Sequence, residues 1–259
     1  MLLAIDVGNT NTVLGAFEGE ELRRHWRIAT RSDNTADELG VMLRGLFNSA
    51  DVRLDEVDSV VVSSVVPTLN GAVADMCKRY LGLAPLVIEP GIRTGIQIRV
   101  DNPKEVGADR IVNSVAAFQK YGGPAIVIDF GTATTFDAIA ANGDYLGGAI
   151  APGIRISMDA LFNRAAKLPR FEMAAPLGLE GAIGKNTIEH MQAGFVFGFA
   201  GQIEGIVRRM QEELGGRCRV VATGGLASLI AAHAGVIEVV DDNLTLDGLR
   251  LLHDLNSAH

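Results

Sequence analysis

Cysteine, tryptophan and tyrosine are scarce, at two, one and three among 259 residues, and aromatic residues make up 5% of the chain. Two cysteines, Cys77 and Cys218, cannot build a disulfide framework and form no Cys-x-x-Cys pair. They read as small buried hydrophobes in a reducing compartment. Basic residues are also short, 23 Lys and Arg against 31 Asp and Glu, for a net charge of −8. A surface of that sign does not coat nucleic acid, because phosphate neutralisation needs a basic face. It leaves room for a local basic pocket that takes a small anion. No apolar run approaches the ~18–20 residues of a membrane helix. Asp6 cuts the run Leu2–Ile5 short, and no basic segment of a signal peptide precedes it. These absences predict a cytoplasmic protein whose partners include neither membrane nor nucleic acid. Several catalytic motifs are missing too. Gly184-Lys185 is followed by Asn186, so there is no Walker A loop, and no two glycines lie two apart, so there is no GxGxxG. No serine fits GxSxG. No two of His25, His190, His233, His253 and His259 lie four apart, so HExxH is absent.

Glycine, by contrast, is plentiful, at 30 of 259 residues, above the usual ~7%. It follows no collagen-like period, so it serves tight turns and close backbone approach. The length predicts one or two domains. An internal echo favours two. Residues 3–12 read LAIDVGNTNT and residues 126–135 read IVIDFGTATT. Ile5/Ile128, Asp6/Asp129, Gly8/Gly131 and Thr12/Thr135 match at an offset of 123. Each copy is an apolar strand ending in Asp, then a glycine turn, then another β-rich stretch. The offset is too long for a solenoid period and suits a duplicated domain.

The surrounding pattern is consistent with that. Strands are expected at Leu2–Asp6, Thr12–Phe17, His25–Thr30 and Ser59–Val65. A helix starts near Ala36 behind a Thr35/Glu38 capping box, another opens at Pro67, and a third covers Asp109–Lys120. In the second half, strands at Ala125–Asp129 and Thr134–Ala140 precede an Asn142-Gly143 turn. Helices at Ile154–Asn163 and Ile188–Leu214 follow. Strand Arg219–Ala222 then leads through Thr223-Gly224-Gly225 into helix Leu226–Ala232. A final strand and helix carry Leu246, Leu249, Leu252 and Leu255 at intervals of three. The Gly122-Gly123 pair is the expected boundary, giving an N-terminal domain at 1–121 and a C-terminal domain at 122–259. Helices mixed with strands in this order indicate α/β domains with mixed sheets.

A strand-ending carboxylate beside a glycine turn suits magnesium-phosphate binding. Turn amides and the hydroxyls of Thr10 and Thr12 donate to phosphate oxygens, and Asp6 and Asp129 can hold a cation. Asn9 and Asn11 add neutral donors. Each turn alone also fits a plain strand–turn cap. A third segment is Asp101-Asn102-Pro103-Lys104-Glu105-Val106-Gly107-Ala108-Asp109-Arg110. Small Gly107 and Ala108 let a substrate approach Asp109, which can accept a hydroxyl proton, while Arg110 grips an anion. The same spacing also fits a helix start, with Asp109 capping and Arg110 in a surface pair. The Thr223-Gly224-Gly225 turn can lie alongside a flat base, or be an ordinary strand-to-helix turn.

Together Asp6-x-Gly8-Asn9-Thr10, the DNPKEVGADR run at 101–110, Asp129-Phe130-Gly131-Thr132, Gly184-Lys185-Asn186-Thr187 and Thr223-Gly224-Gly225 resemble the type III pantothenate kinase family, nearly end to end and in the family's order. DNPxxVGADR is the specific element. The Asp–Gly turns are shared with the wider actin, sugar-kinase and chaperone-ATPase fold, and taken alone they also fit a sugar kinase, a polyphosphate hydrolase or a nucleotide-binding regulator. The resemblance implies two ribonuclease-H-like (actin-like ATPase) domains with mixed sheets around a nucleotide cleft. It implies ATP-dependent phosphorylation of pantothenate to 4'-phosphopantothenate, the first step of coenzyme A synthesis. By the same resemblance Asp6, Val7, Gly8, Asn9, Thr10, Asn11, Thr12 and Val13 cradle ATP, and Thr132 touches it. Gly107, Ala108, Asp109, Arg110 and Thr187 bind pantothenate, with Asp109 as catalytic base. Asp129 binds a monovalent cation, K+ or NH4+, beside the Mg2+ that accompanies ATP. The resemblance also implies a homodimer. Val100 departs from the pattern, standing where many members carry an aromatic residue.

Overall fold

The computed structural model describes residues 1–165, 167–173 and 181–257; His259 lies outside them. The chain forms two compact units. One comprises Met1–Ala116 with the segment from Asn243 onward, and the other Ala117–Asp242.

The first unit is built on β1 (Leu2–Val7), β2 (Asn11–Glu18), β3 (Glu21–Ala29), β4 (Ser59–Ser64) and β5 (Leu86–Val87), in the sheet order β3-β2-β1-β4-β5. β1 pairs antiparallel with β2 and parallel with β4. Its sequence, LLAIDV, is almost wholly apolar because both faces are covered. Leu3, Ile5 and Val7 face Leu43 and Phe47 of α1 (Ala36–Ser49), and Leu69 and Val73 of α2 (Pro67–Met76). Leu2 and Ala4 face Val112 and Val115 of α3 (Ala108–Tyr121) and the leucines of α7 (Leu244–Ser257). The expected capping box closes α1, with the Glu38 N–H donating to Thr35 Oγ1 at 3.3 Å and the Thr35 N–H donating to Glu38 Oε2 at 2.7 Å.

The second unit repeats the plan. Its strands are β6 (Ala125–Phe130), β7 (Ala133–Ile139), β8 (Tyr145–Pro152), β9 (Arg219–Gly224) and β10 (Val239–Val240), in the order β10-β9-β6-β7-β8. β6 pairs antiparallel with β7 and parallel with β9, as β1 does with β2 and β4. Against one face lie α4 (Ile154–Arg164), α5 (Thr187–Glu213) and α6 (Ala227–Ala231), through Ile154, Met158, Ile203, Val207 and Ile230. Strand order and direction therefore repeat, which is the structural form of the sequence echo.

The units differ from the expected halves in two respects. The boundary falls inside α3 rather than at Gly122-Gly123. Gly122, at φ +75°, donates its N–H to the Phe118 carbonyl at 2.9 Å, so the glycine pair ends the helix. The second difference is α7, expected in the C-terminal half. Its Leu246, Leu249 and Leu252 bury against Leu2, Ala4 and Val61, so it belongs to the first unit. No described helix is long and apolar enough to cross a membrane.

Candidate active site

The first turn leaves the C-terminal end of β1. Asp6 pairs in register with Val13 on β2 and Ser63 on β4. The Gly8 N–H donates to the Asn11 carbonyl at 3.0 Å, and a Cβ on Gly8 would stand only 2.9 Å from that oxygen, so the tight turn requires glycine. Asn9 and Thr10 are exposed, and the Thr10 carbonyl accepts the Thr30 N–H at 2.9 Å. Not every residue of 6–13 presents its side chain. Val7 is buried in the core, and Val13 packs on the opposite face. Thr12 is buried, its hydroxyl 2.9 Å from that of Thr30. Thr12 thus ties β2 to the segment after β3, and what Val7, Thr12 and Val13 can offer a phosphate is main chain.

The second turn follows β6, and it is one residue shorter. Asp6 pairs with Val13 but Asp129 pairs with Thr135, so the offset of 123 at the aspartates becomes 122 beyond the turn. The structural counterpart of Thr12 is therefore Thr134, which is fully buried, and not Thr135. Two glycines from elsewhere in the unit press on this turn. Gly153 is the N-cap of α4, and a Cβ there would stand 2.8 Å from the Gly131 carbonyl oxygen and collide with the Thr132 carbonyl. The N-terminus of α4, whose first amides favour negative charge, thus abuts Gly131-Thr132. Gly224, at φ +93°, lies against Asp129, where a Cβ would stand 2.6 Å from Asp129 Oδ1 and 2.7 Å from the Phe130 carbonyl oxygen. Asp129, Thr132, Thr223 and Gly224 form one corner of the second unit, at the C-terminal ends of two parallel strands. Gly153 was not singled out from sequence; the signal was a Pro-Gly step ahead of an amphipathic run.

Asp109 stands in the first turn of α3. The Gly107 carbonyl accepts the Arg110 N–H at 3.1 Å and the Ile111 N–H at 3.3 Å, so Gly107 starts the helix and Asp109 is not its N-cap. Asp109 Oδ1 accepts the Arg110 N–H at 2.8 Å and curls back over Gly107, where a Cβ would stand 2.5 Å from it. Burial pushes the Asp109 carboxyl above its ordinary range, outweighing the Arg110 N–H bond and the Arg110 charge, which pull it down. The apolar side of this helix, Ala108, Ile111, Val112 and Val115, packs on the sheet face of Leu2 and Ala4. Strand alternation places Asp6 on that same face. Within the first unit, then, the structure brings the Asp6 turn and the helix of Asp109 to one side of one sheet.

Thr187 opens α5 in the second unit. Asn186 caps the helix through Glu189, whose N–H donates to Asn186 Oδ1 at 3.0 Å, while the Lys185 N–H donates to Glu189 Oε2 at 2.6 Å. Thr187 is exposed and lines a cavity of about 560 Å³ whose other walls include Leu161, Met191, Phe195 and Phe199.

Among the described residues no three His, Cys, Asp or Glu side chains cluster as a metal-binding group. Magnesium carried by a nucleotide takes one or two carboxylates and completes its shell with phosphate oxygens and water. In the second unit, Asp129 Oδ1 and the Phe130 carbonyl both face Gly224. Those are hard oxygen donors of the kind an alkali or alkaline-earth cation takes.

A family model described as type III pantothenate kinase matches residues 2–209. A type III pantothenate kinase from Moorella thermoacetica is 59% identical over 257 residues, covering 99% of this chain and 100% of the relative. Among solved structures, a Baf family transcriptional activator from Campylobacter jejuni superposes with a TM-score of 0.62 at 18% identity, covering 99% of this chain and 100% of the other. An activator of 2-hydroxyisocaproyl-CoA dehydratase from Clostridium difficile, solved with bound ADPNP, gives 0.56 at 14% identity, covering 96% and 91%. At those identities the likeness concerns the fold alone.

Proposed function

The chain belongs to the type III pantothenate kinase family, and from that premise we propose that the turn after Asp6 holds ATP while Asp109 receives the proton of the pantothenate hydroxyl. The reaction is the ATP-dependent phosphorylation of pantothenate to 4'-phosphopantothenate in coenzyme A biosynthesis, and ATP acts with Mg2+. The observation that carries the residue assignment is the placement of Asp109: desolvated, resting on Gly107, and carried by a helix on the sheet face that ends in Asp6.

Phosphoryl transfer passes through a loose transition state, so positioning and charge neutralisation do most of the work. Magnesium supplies charge neutralisation on the phosphates. The main chain of residues 6–13, with the side chains of Asn9, Thr10 and Asn11, orients phosphate oxygens. Thr132 is a further nucleotide contact. Asp109 takes the hydroxyl proton, and its raised pKa makes it a better base than an ordinary aspartate. Gly107, Ala108, Arg110 and Thr187 bind pantothenate. Asp129, with the Phe130 carbonyl beside it, holds a monovalent cation, K+ or NH4+.

This cation role has a direct test. Phosphopantothenate formation, followed by mass with Mg-ATP and pantothenate, is expected to collapse when K+ is replaced by Na+. Equal rates in the two salts would remove Asp129 from that role. The protein is also read as a cytoplasmic homodimer. The support for the dimer is an apolar surface on α4 and α5, where Ile156, Leu161 and Ile188 are exposed. Sedimentation should give twice the mass of one chain, and Phe195→Glu should shift it to one; a single-chain mass for the unaltered protein rejects the dimer.

A further inference from the structure

We propose that Ser63 is a positioning residue of the nucleotide site, its hydroxyl held to donate to an oxygen of the magnesium–triphosphate assembly gathered at Asp6. This rests on the assignment of Asp6 to the ATP phosphates. β4 ends in two serines that are treated differently. Ser64 serves the local chain, its hydroxyl accepting the Val66 N–H at 3.2 Å where α2 begins. Ser63 is 0% exposed, and its Oγ has no hydrogen-bond partner among the described residues. A hydroxyl buried in this way gives up its water for nothing within the polypeptide. An alanine would occupy the same space without that loss, so stability alone does not account for serine here.

The neighbours of Ser63 indicate where its partner comes from. In the parallel register it stands opposite Asp6. Register partners project from the same face, and adjacent strands run about 4.8 Å apart. Both side chains therefore lie at the C-terminal edge of β1 and β4, the edge at which open α/β sheets take their ligands. The second sheet repeats the pairing, with Thr223 opposite Asp129. A hydroxyl thus flanks each strand-ending carboxylate, once in each copy of the fold. Carboxylates accept hydrogen bonds and hold cations, but they cannot donate to a phosphate oxygen; a serine beside them can.

Two measurements on Ser63→Ala decide the matter. In ligand-free protein the melting temperature should rise by about 2–4 °C, the scale of one relieved buried polar group in a chain of this size. In calorimetry the Kd for MgATP should rise about tenfold, as for one lost hydrogen bond to a charged acceptor. Ser64→Ala should do the reverse, lowering the melting temperature and leaving MgATP affinity intact. Unchanged MgATP affinity in Ser63→Ala overturns the proposal. A fall in its melting temperature also does so, because the hydroxyl would then be satisfied in the free protein. Asp6→Asn separates this from the underlying assignment. If Asp6→Asn leaves MgATP affinity intact, the phosphate site is elsewhere. If Asp6→Asn weakens binding and Ser63→Ala does not, the role of Ser63 alone falls.

Discussion

Asparagine at position 109 is expected to cut turnover at least ~10²-fold, the scale for a lost acid–base group, with MgATP affinity little changed. The substitution isolates the chemistry. Asparagine keeps the size of the side chain and the oxygen that accepts the Arg110 N–H at 2.8 Å, so the first turn of α3 is preserved. It lacks an oxygen that can take a proton. Burial of Asp109 raises its native pKa above the unfolded value, with two consequences. The acid limb of kcat/KM in the unaltered enzyme should fall at a pH above the ordinary aspartate value of ~3.9. The native state also binds this proton more tightly than the unfolded chain does. The resulting stabilisation is complete below the unfolded pKa and fades as pH rises through the native one. The amide carries no such loss, so Asp109→Asn should melt at or above the parent temperature at pH 7. Near-normal turnover would reject Asp109 as the base, and a collapsed melting temperature would reject the burial argument.

Gly107→Ala should cost about as much without touching a titratable group. Its Cβ would stand 2.5 Å from Asp109 Oδ1 and 3.7 Å from Asp109 Cγ, so the carboxylate must swing aside. A displacement near ~1 Å in a reacting group is enough to lose ~10² in rate. Gly107 is not among the positive-φ glycines, so alanine brings no backbone strain, and the fold should survive. The expected result is a kcat lowered ~10²-fold with the melting temperature within a few degrees of the parent. On the Asp109→Asn background the same change should cost little more, since both act on one carboxylate. A kcat within about threefold of the parent would show that Asp109 works from a position that Gly107 does not govern.

Much of this was legible in the sequence because local rules and tertiary demands agree. The Asp–Gly echo carries strand, turn and strand in ten residues, and the strands form where the apolar runs lie. The Thr35/Glu38 box and Pro67 mark helix starts by chemistry internal to each segment. What escaped depends on partners distant in sequence. The echo could not show that the second turn is one residue shorter, because identity at Thr12 and Thr135 hid the slip that the pairing of Asp129 with Thr135 exposes. Gly153 and Gly224 matter because they meet residues 131–132 and 129, contacts made by folding alone. The leucine stripe of α7 was visible, but a stripe does not name the sheet it covers. The boundary expected at glycines 122 and 123 is the end of a helix, and the division between units falls within that helix.

The assignment of α7 to the first unit bears on how the polypeptide is made. Leu2, Ala4 and Val61 leave the ribosome early, whereas Leu246, Leu249 and Leu252, which cover them, are translated after the entire second unit. The earlier-born body therefore spends most of synthesis with one side of its sheet lacking these leucines, while the later-born body, continuous in the chain, has all its parts first. Completion of the nascent protein is thus ordered opposite to the direction of translation, and the stretch of waiting apolar surface is where a trigger-type chaperone would have most to shield.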